Sequence, residues 1–265
     1  MEYRGIGQEV NIPLFKYYGN VDYARDAIEN SRIHLELPSA YNDIYDSSQR
    51  IGAEDLYRIH FGSFLDVAII RKYCDFLNNN EIEAIKKKDL SVGEVIDYLY
   101  SINKDIDRDK FIQESCRFFT HGKYIFQADN NKISCFSEVN DSLLMWAYYA
   151  NNYAGICVRF NAPKDAILSK HCRKVQYTNH YISDYSFGNY FRKSIQWVHE
   201  QEWRIVCDME EEYIPINSID ALYTGIRMDE TVERQVLALG RKYNLEVYKM
   251  RVSDIRYEIL FDRVL

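Results

Sequence analysis

Chain breakers are scarce. Only 11 glycines and 4 prolines occur among 265 residues, where an average protein has about 12% of the two together. That shortage excludes collagen-like, low-complexity and mostly disordered chains. No stretch approaches the ~18 consecutive apolar residues of a membrane span. The opening Met1-Glu2-Tyr3-Arg4-Gly5-Ile6 has no apolar run or cleavage pattern, so no secretory signal is read there. None of the six cysteines, Cys74, Cys116, Cys135, Cys157, Cys172 and Cys207, forms a CxxC pair. Each lies in an apolar stretch, and free, mostly buried thiols in a cytoplasmic protein are expected. His171, Cys172 and His180 cluster but lack the second ligand pair of a zinc site, so no metal is expected. GxGxxG, GxxxxGK[ST] and GxSxG are all missing, which leaves a Rossmann fold, a P-loop and a nucleophile elbow unsupported. The excess of 40 acidic over 33 basic residues gives a net charge of −7, against a whole-surface grip on nucleic acid.

What the chain does have is aromatic side chains, with 23 tyrosines. Tyrosine joins a large apolar ring to one polar tip, and suits half-buried strands and ligand clefts. Leu14–Tyr18 reads as a strand, Tyr23–Asn30 as a helix capped by Asn20 or Asp22, and Ile33–Leu37 as an alternating strand stopped by Pro38. Helical spacing then dominates from about 52 to 126, in Leu56–Leu77, Glu81–Lys87, Val92–Ile102 and Lys110–Phe119. With no Pro/Gly/Ser linker around it, this block reads as an insertion within one domain, 1–265. Strands return at Ile133–Ser137, Ile156–Phe160, Lys174–Tyr177, Trp203–Cys207, Ile219–Tyr223, Leu245–Met250 and Tyr257–Leu260. Helices are expected at Ser142–Ala150 (capped by Asp141), Phe187–Gln196 and Met228–Tyr243. Strands and helices mix without strict alternation, so the fold class is α+β.

Three segments carry candidate chemistry. In Trp197-Val198-His199-Glu200-Gln201-Glu202-Trp203-Arg204, strand alternation places Glu200, Glu202 and Arg204 on one face, same-face neighbours being ~6.6 Å apart. Paired carboxylates beside a guanidinium can stabilise a sugar cation and move a proton. A solvated charge row is the plainer reading. In the second segment, Ser137 ends a strand, and Trp146 and Tyr149 share a helix face at i, i+3, fit either to wall a cleft for a flat ring or to pack a core. In the third, Lys16 in an apolar strand requires a carboxylate, a phosphate or solvent, because an unpaired buried charge is costly.

These segments together resemble a bacterial family known as domain of unknown function 2971. The resemblance rests on Lys16-Tyr17, on Pro38-Ser39-Ala40-Tyr41-Asn42-Asp43-Ile44-Tyr45-Asp46, on Phe136-Ser137-Glu138 with Met145-Trp146-Ala147-Tyr148-Tyr149-Ala150 and Gly155, and on Trp197 to Arg204. Tyr41 and Tyr45 stand where that pattern has Phe. More distantly, the element order is similar to the ADP-ribosyltransferase superfamily. That resemblance implies a split two-sheet core with NAD, as substrate, in the cleft between the sheets. It implies Lys16 in the first motif position, where the superfamily has His or Arg, Ser137 in the second, and Glu202 in the third with Glu200 two residues before it. Glu202, Glu200 and Ser137 would be catalytic; Lys16, Tyr17, Trp146, Tyr149 and Arg204 would hold the nucleotide. The acceptor would be a protein side chain, a nucleotide or water, and small bacterial enzymes of this kind are often toxins or phage-defence effectors. A carboxylate hydrolase that does not use NAD, and a non-catalytic nucleotide- or protein-binding module, stay open beside this reading.

Overall fold

The computed structural model describes residues 9–49, 53–59, 71–119, 126–127, 131–180 and 187–265. The part of the expected Leu56–Leu77 helix at 60–70 lies outside the described residues. The chain divides into two compact units, one of Met1–Asp46, Asp129–His180 and Tyr190–Leu265, the other of Ser47–Ala128 and Tyr181–Asn189.

The first unit is α+β, built on one eight-stranded sheet. Its strands are β1 (Leu14–Tyr18), β2 (Asn131–Ser137), β3 (Ile156–Phe160), β4 (Arg173–Lys174), β5 (Glu202–Asp208), β6 (Ile219–Thr224), β7 (Glu246–Val252) and β8 (Ile259–Arg263), in the order β8-β7-β6-β3-β1-β2-β5-β4. Only β6 and β7 run parallel. Instead of two separate sheets, hydrogen bonding joins all eight strands, yet the join in the middle is narrow. β1 pairs with β3 through five residues, Leu14 to Tyr18, but with β2 through Phe15↔Ser137 alone. Beyond that pair the β1–β2 ladder parts.

Alternation assigns each strand two faces. Leu14, Val158, Leu222, Trp203, Ile205 and Cys207 enter the larger core, which α1 (Val21–Glu29) joins through Ala24, Ala27 and Ile28. The Asn20 side chain caps α1 by accepting from the Asp22 amide. The long helix Glu230–Tyr243 adds Val236 and Leu239 to the same core. Phe15, Cys157, Ala221 and Tyr223 face the other way, into a smaller core with Trp146 and Ala150. The helix Leu143–Tyr149 is capped by Ser142, which accepts from the Met145 amide, not by the expected Asp141.

Two other expectations differ. Lys174–Tyr177 is not one strand: it breaks at Val175 into β4 and the short strand Gln176–Thr178. Phe187–Gln196 is not one helix: a 3₁₀ turn (Phe187–Phe191) leads into a strand, Arg192–Ser194, which pairs with Gln176–Thr178, and a second 3₁₀ segment follows at Ile195–Glu200.

The second unit has its own core of Leu56, Ile82, Val92, Val95, Ile96, Leu99 and Phe111 among others. Its helices Asn79–Lys86 and Val92–Ile102 both begin with capping boxes, Asn78 with Glu81 and Ser91 with Glu94. All six cysteines are free; Cys74, Cys157, Cys172 and Cys207 are buried, and Cys116 and Cys135 partly so. Among the described residues, no helix is long and apolar enough to cross a membrane.

Candidate active site

Where β1 and β2 part, a cavity of ≈ 220 Å³ opens. Its walls include Lys16 and Tyr17 from β1, Ser137 from β2, Tyr149, and the two carboxylates Glu200 and Glu202. Both carboxylates belong to a buried ionic cluster whose Lys193 and Asp46 also line the cavity. Neither glutamate belongs to a solvated row: Glu200 is 3% exposed, Glu202 4% and Arg204 0%.

The cluster has two cations and three carboxylates. Lys193 Nζ donates to Glu200 Oε2 and Glu202 Oε2, the latter at 3.2 Å, and lies 3.4 Å from Asp46 Oδ2. Arg204 donates through Nε to Glu202 Oε1 (2.8 Å) and through Nη2 to Glu202 Oε2 (2.8 Å). Its other edge meets Asp46 Oδ1 and Oδ2 at 2.7 and 2.6 Å, and Nη1 also donates to the Tyr190 carbonyl. Bidentate pairing of this sort fixes both partners in one geometry. Asp46 is 158 positions from Arg204, and it sits in the polar turn after Pro38, whose backbone folds through the Asp46 amide onto the Asp43 carbonyl.

The two glutamates end up electrically different. Burial by itself would raise the Glu202 carboxyl, but Arg204 and Lys193 overcome it and hold Glu202 well below the usual carboxylate range. Glu200 moves the opposite way: burial, then the neighbouring Glu202 charge, raises it, and Lys193 offsets that only in part. Burial also opposes the Lys193 charge, and Glu202, Asp46 and Glu200 together outweigh it, so the ammonium is held above its ordinary value. Glu202 is thereby kept ionised, and Glu200 has the higher proton affinity of the two. That pair of environments separates acid/base roles in general.

Glu200 is not on a strand. It ends the 3₁₀ segment, and Gln201 follows in the left-handed region at φ 44° before β5 begins at Glu202. This turn, and not alternation, brings both carboxylates to one ammonium. Three hydroxyls complete the arrangement. Tyr149 donates to Glu200 Oε1 at 2.5 Å and accepts from Asn42 Nδ2. Ser137 Oγ donates to the Glu200 carbonyl at 2.6 Å and accepts from the Val139 amide, so it positions Glu200 and is not a free hydroxyl. The Tyr177 hydroxyl accepts from the Glu202 amide at 2.8 Å.

The other sequence-derived residues divide. Lys16 reaches the cavity, where Nζ donates to Ser134 Oγ (3.1 Å) and the Cys135 carbonyl (2.9 Å) and has no carboxylate within ion-pair distance among the described residues. Burial pushes its ammonium down. Tyr17 is at the cavity wall, its hydroxyl donating to the Val139 carbonyl. Trp146 does not line the cavity. It is fully buried, edge-on to Tyr17 at 5.4 Å, with Nε1 donating to the Asn140 carbonyl. Arg204 is likewise behind the cavity wall, its fork occupied by Glu202 and Asp46, which leaves it a positioning residue. Lys193, Asp46 and Asn42 were not singled out from sequence as site residues. Lys193 sits beside Arg192 in a run that reads as helical and carries no separate local signal. Comparison of the chain with family models, curated proteins and solved structures returns no match.

Proposed function

We propose that this chain is an NAD-consuming enzyme of the ADP-ribosyltransferase type, breaking the nicotinamide–ribose bond and passing the ADP-ribosyl group to an acceptor or to water. The observation that carries the proposal is the pair of buried carboxylates, Glu200 and Glu202, that share the Lys193 ammonium at one cavity wall, with Glu202 also held by Arg204. When the C1′–N bond breaks, its electron pair leaves with nicotinamide and positive charge develops on the ribose. Ionised Glu202, anchored by Arg204 and Lys193, faces that charge without reorganising, the condition under which electrostatic stabilisation is greatest. The acceptor then bonds to C1′, and its proton passes to Glu200, whose raised proton affinity makes it the stronger base of the two. Tyr149 and the Ser137–Glu200 tie hold that carboxylate in place.

The narrow join within the single eight-stranded sheet supports this use of the site. Two groups of strands, five and three, meet at one residue pair, and the carboxylates lie beside the join. A cavity of ≈ 220 Å³ falls below the ~300–1,000 Å³ of typical ligand pockets, so it would take the nicotinamide ring and its ribose and not the whole dinucleotide. Lys16 would supply a cation at the cavity's edge, without the bidentate fork of Arg.

The test is nicotinamide release from NAD. Wild type is expected to release it, and Glu200→Gln to slow transfer by about 10²-fold or more, the usual worth of a general base, while leaving simple hydrolysis less affected. If wild type releases no nicotinamide at any acceptor supplied, the enzyme reading fails, and a binding module or an NAD-independent hydrolase takes its place.

A further inference from the structure

A second cavity, of ≈ 660 Å³, lies on the α1 side of the sheet. Tyr23, Asp26 and Ala27 of α1 form part of its wall, whereas Met145 and Tyr149 border the first cavity from the helix on the opposite face. The two cavities meet at the gap between β1 and β2 and share Lys16, Tyr41 and Cys135.

Its lining has a definite chemistry. Four tyrosine rings are present, Tyr18, Tyr23, Tyr41 and Tyr213. The Arg32 guanidinium lies 3.9 Å from the Tyr213 ring centroid, and the His34 ring meets Tyr213 edge-on at 5.4 Å. Arg32 and Tyr213 make a cationic and aromatic surface of the kind on which heteroaromatic rings stack, with His34 standing edge-on beside it. The acidic groups nearby are already engaged. Asp26 accepts both Arg32 Nε (3.0 Å) and Nη2 (2.8 Å), and Glu36 accepts the Leu37 amide and sits 3.9 Å from His34 Nδ1. Lys16 differs: its ammonium donates to a hydroxyl and a carbonyl and has no carboxylate within ion-pair distance among the described residues. The Tyr18 hydroxyl, two residues along β1, is buried with no hydrogen-bond partner among the described residues. A pocket of this size, lined both by the Tyr213–Arg32 pair and by the Lys16 ammonium, fits a ring joined to an anion.

We infer that this second cavity binds a nucleoside monophosphate, its base against Tyr213 and Arg32 and its phosphate at Lys16, as a site separate from the Glu200 cavity. The inference does not rest on NAD cleavage.

Calorimetric titration of the whole chain with AMP, adenosine and inorganic phosphate tests this. AMP is expected to bind at one site per chain with a Kd between about 1 µM and 1 mM, and adenosine and phosphate each at least roughly ten-fold more weakly. Tyr213→Ala should weaken AMP and adenosine alike by about ten-fold or more. Lys16→Met should reduce AMP to the affinity of adenosine and leave adenosine unchanged. Glu200→Gln, on the other cavity, should leave AMP binding unaltered. The inference is overturned if AMP gives no binding up to about 10 mM, if Tyr213→Ala and a folded Lys16→Met both bind as wild type does, or if Glu200→Gln abolishes binding, which would put the ligand in the first cavity. A chain that fails to cleave NAD but binds AMP with this pattern refutes the enzyme reading alone.

Discussion

Lys193→Met removes the one ammonium that three buried carboxylates share while keeping an unbranched side chain of similar length. The lysine side chain is 4% exposed and its Nζ is 3.2 Å from Glu202 Oε2 and 3.4 Å from Asp46 Oδ2. At an effective dielectric of about 20, each such contact is worth about 5 kcal/mol of gross attraction. Desolvation of the ammonium offsets much of that gain. Losing one member of a buried ionic group while its partners stay costs about 3–5 kcal/mol net. The loss has a distinctive pH dependence. Glu200 is already raised above its ordinary 4.5 by burial and by Glu202, and without Lys193 it rises further. A carboxyl that binds its proton more tightly when folded favours the fold below its unfolded value of about 4.5 and loses that contribution as pH climbs through its folded value. The deficit of the variant should therefore be modest near pH 5 and reach its full size by pH 8. Titration of Lys193 in wild type does not interfere, since a raised ammonium is fully charged in both states below its ordinary 10.5. Urea unfolding of both proteins at the two pH values, fitted with a common slope, reads the difference directly. A deficit below about 0.5 kcal/mol, or one equal at pH 5 and pH 8, would refute the reasoning that Lys193 neutralises this cluster.

Other outcomes follow from the same contacts. From sequence, Glu202→Gln should spare the fold and lower nicotinamide release about 10²–10³-fold; burial against Arg204 adds a stability loss of about 2–4 kcal/mol at pH 7, measurable by urea unfolding. In wild type, the depressed Glu202 carboxyl stabilises the fold above about pH 4.5, and this is lost as pH falls through its folded value, so acid unfolding should be shallower in Glu202→Gln. Trp146→Phe should cost about 1–3 kcal/mol by orphaning the Asn140 carbonyl and leave the KM for NAD unchanged, because the indole packs in the core and not at the cavity. All six thiols should titrate in denaturant without reductant, with the four buried ones slow in the native protein; any missing thiol would expose a disulfide.

Local pattern was sufficient for much of the scaffold. The apolar run of β1, the period-two alternation of β3 and β5, and the Asn20 cap of α1 are interactions between residues a few positions apart, which sequence displays directly. The same alternation correctly separates Trp203, Ile205 and Cys207 from Glu202 and Arg204. Sequence also pointed to Glu200 and Glu202 as the residues of interest, though through a strand that does not reach Glu200. Whether their charges met water or other charges depended on the tertiary structure. Asp46 arrives from a distant turn, Lys193 from a three-residue strand too short to show a period, and the left-handed Gln201 turns Glu200 toward the same ammonium. Trp146 and Tyr149 share a helix face by spacing, but only the parting of β1 from β2 decides that Tyr149 meets the cavity while Trp146 fills the core. Convergence of buried charge is a long-range balance of desolvation against pairing, and local periodicity carries no record of it.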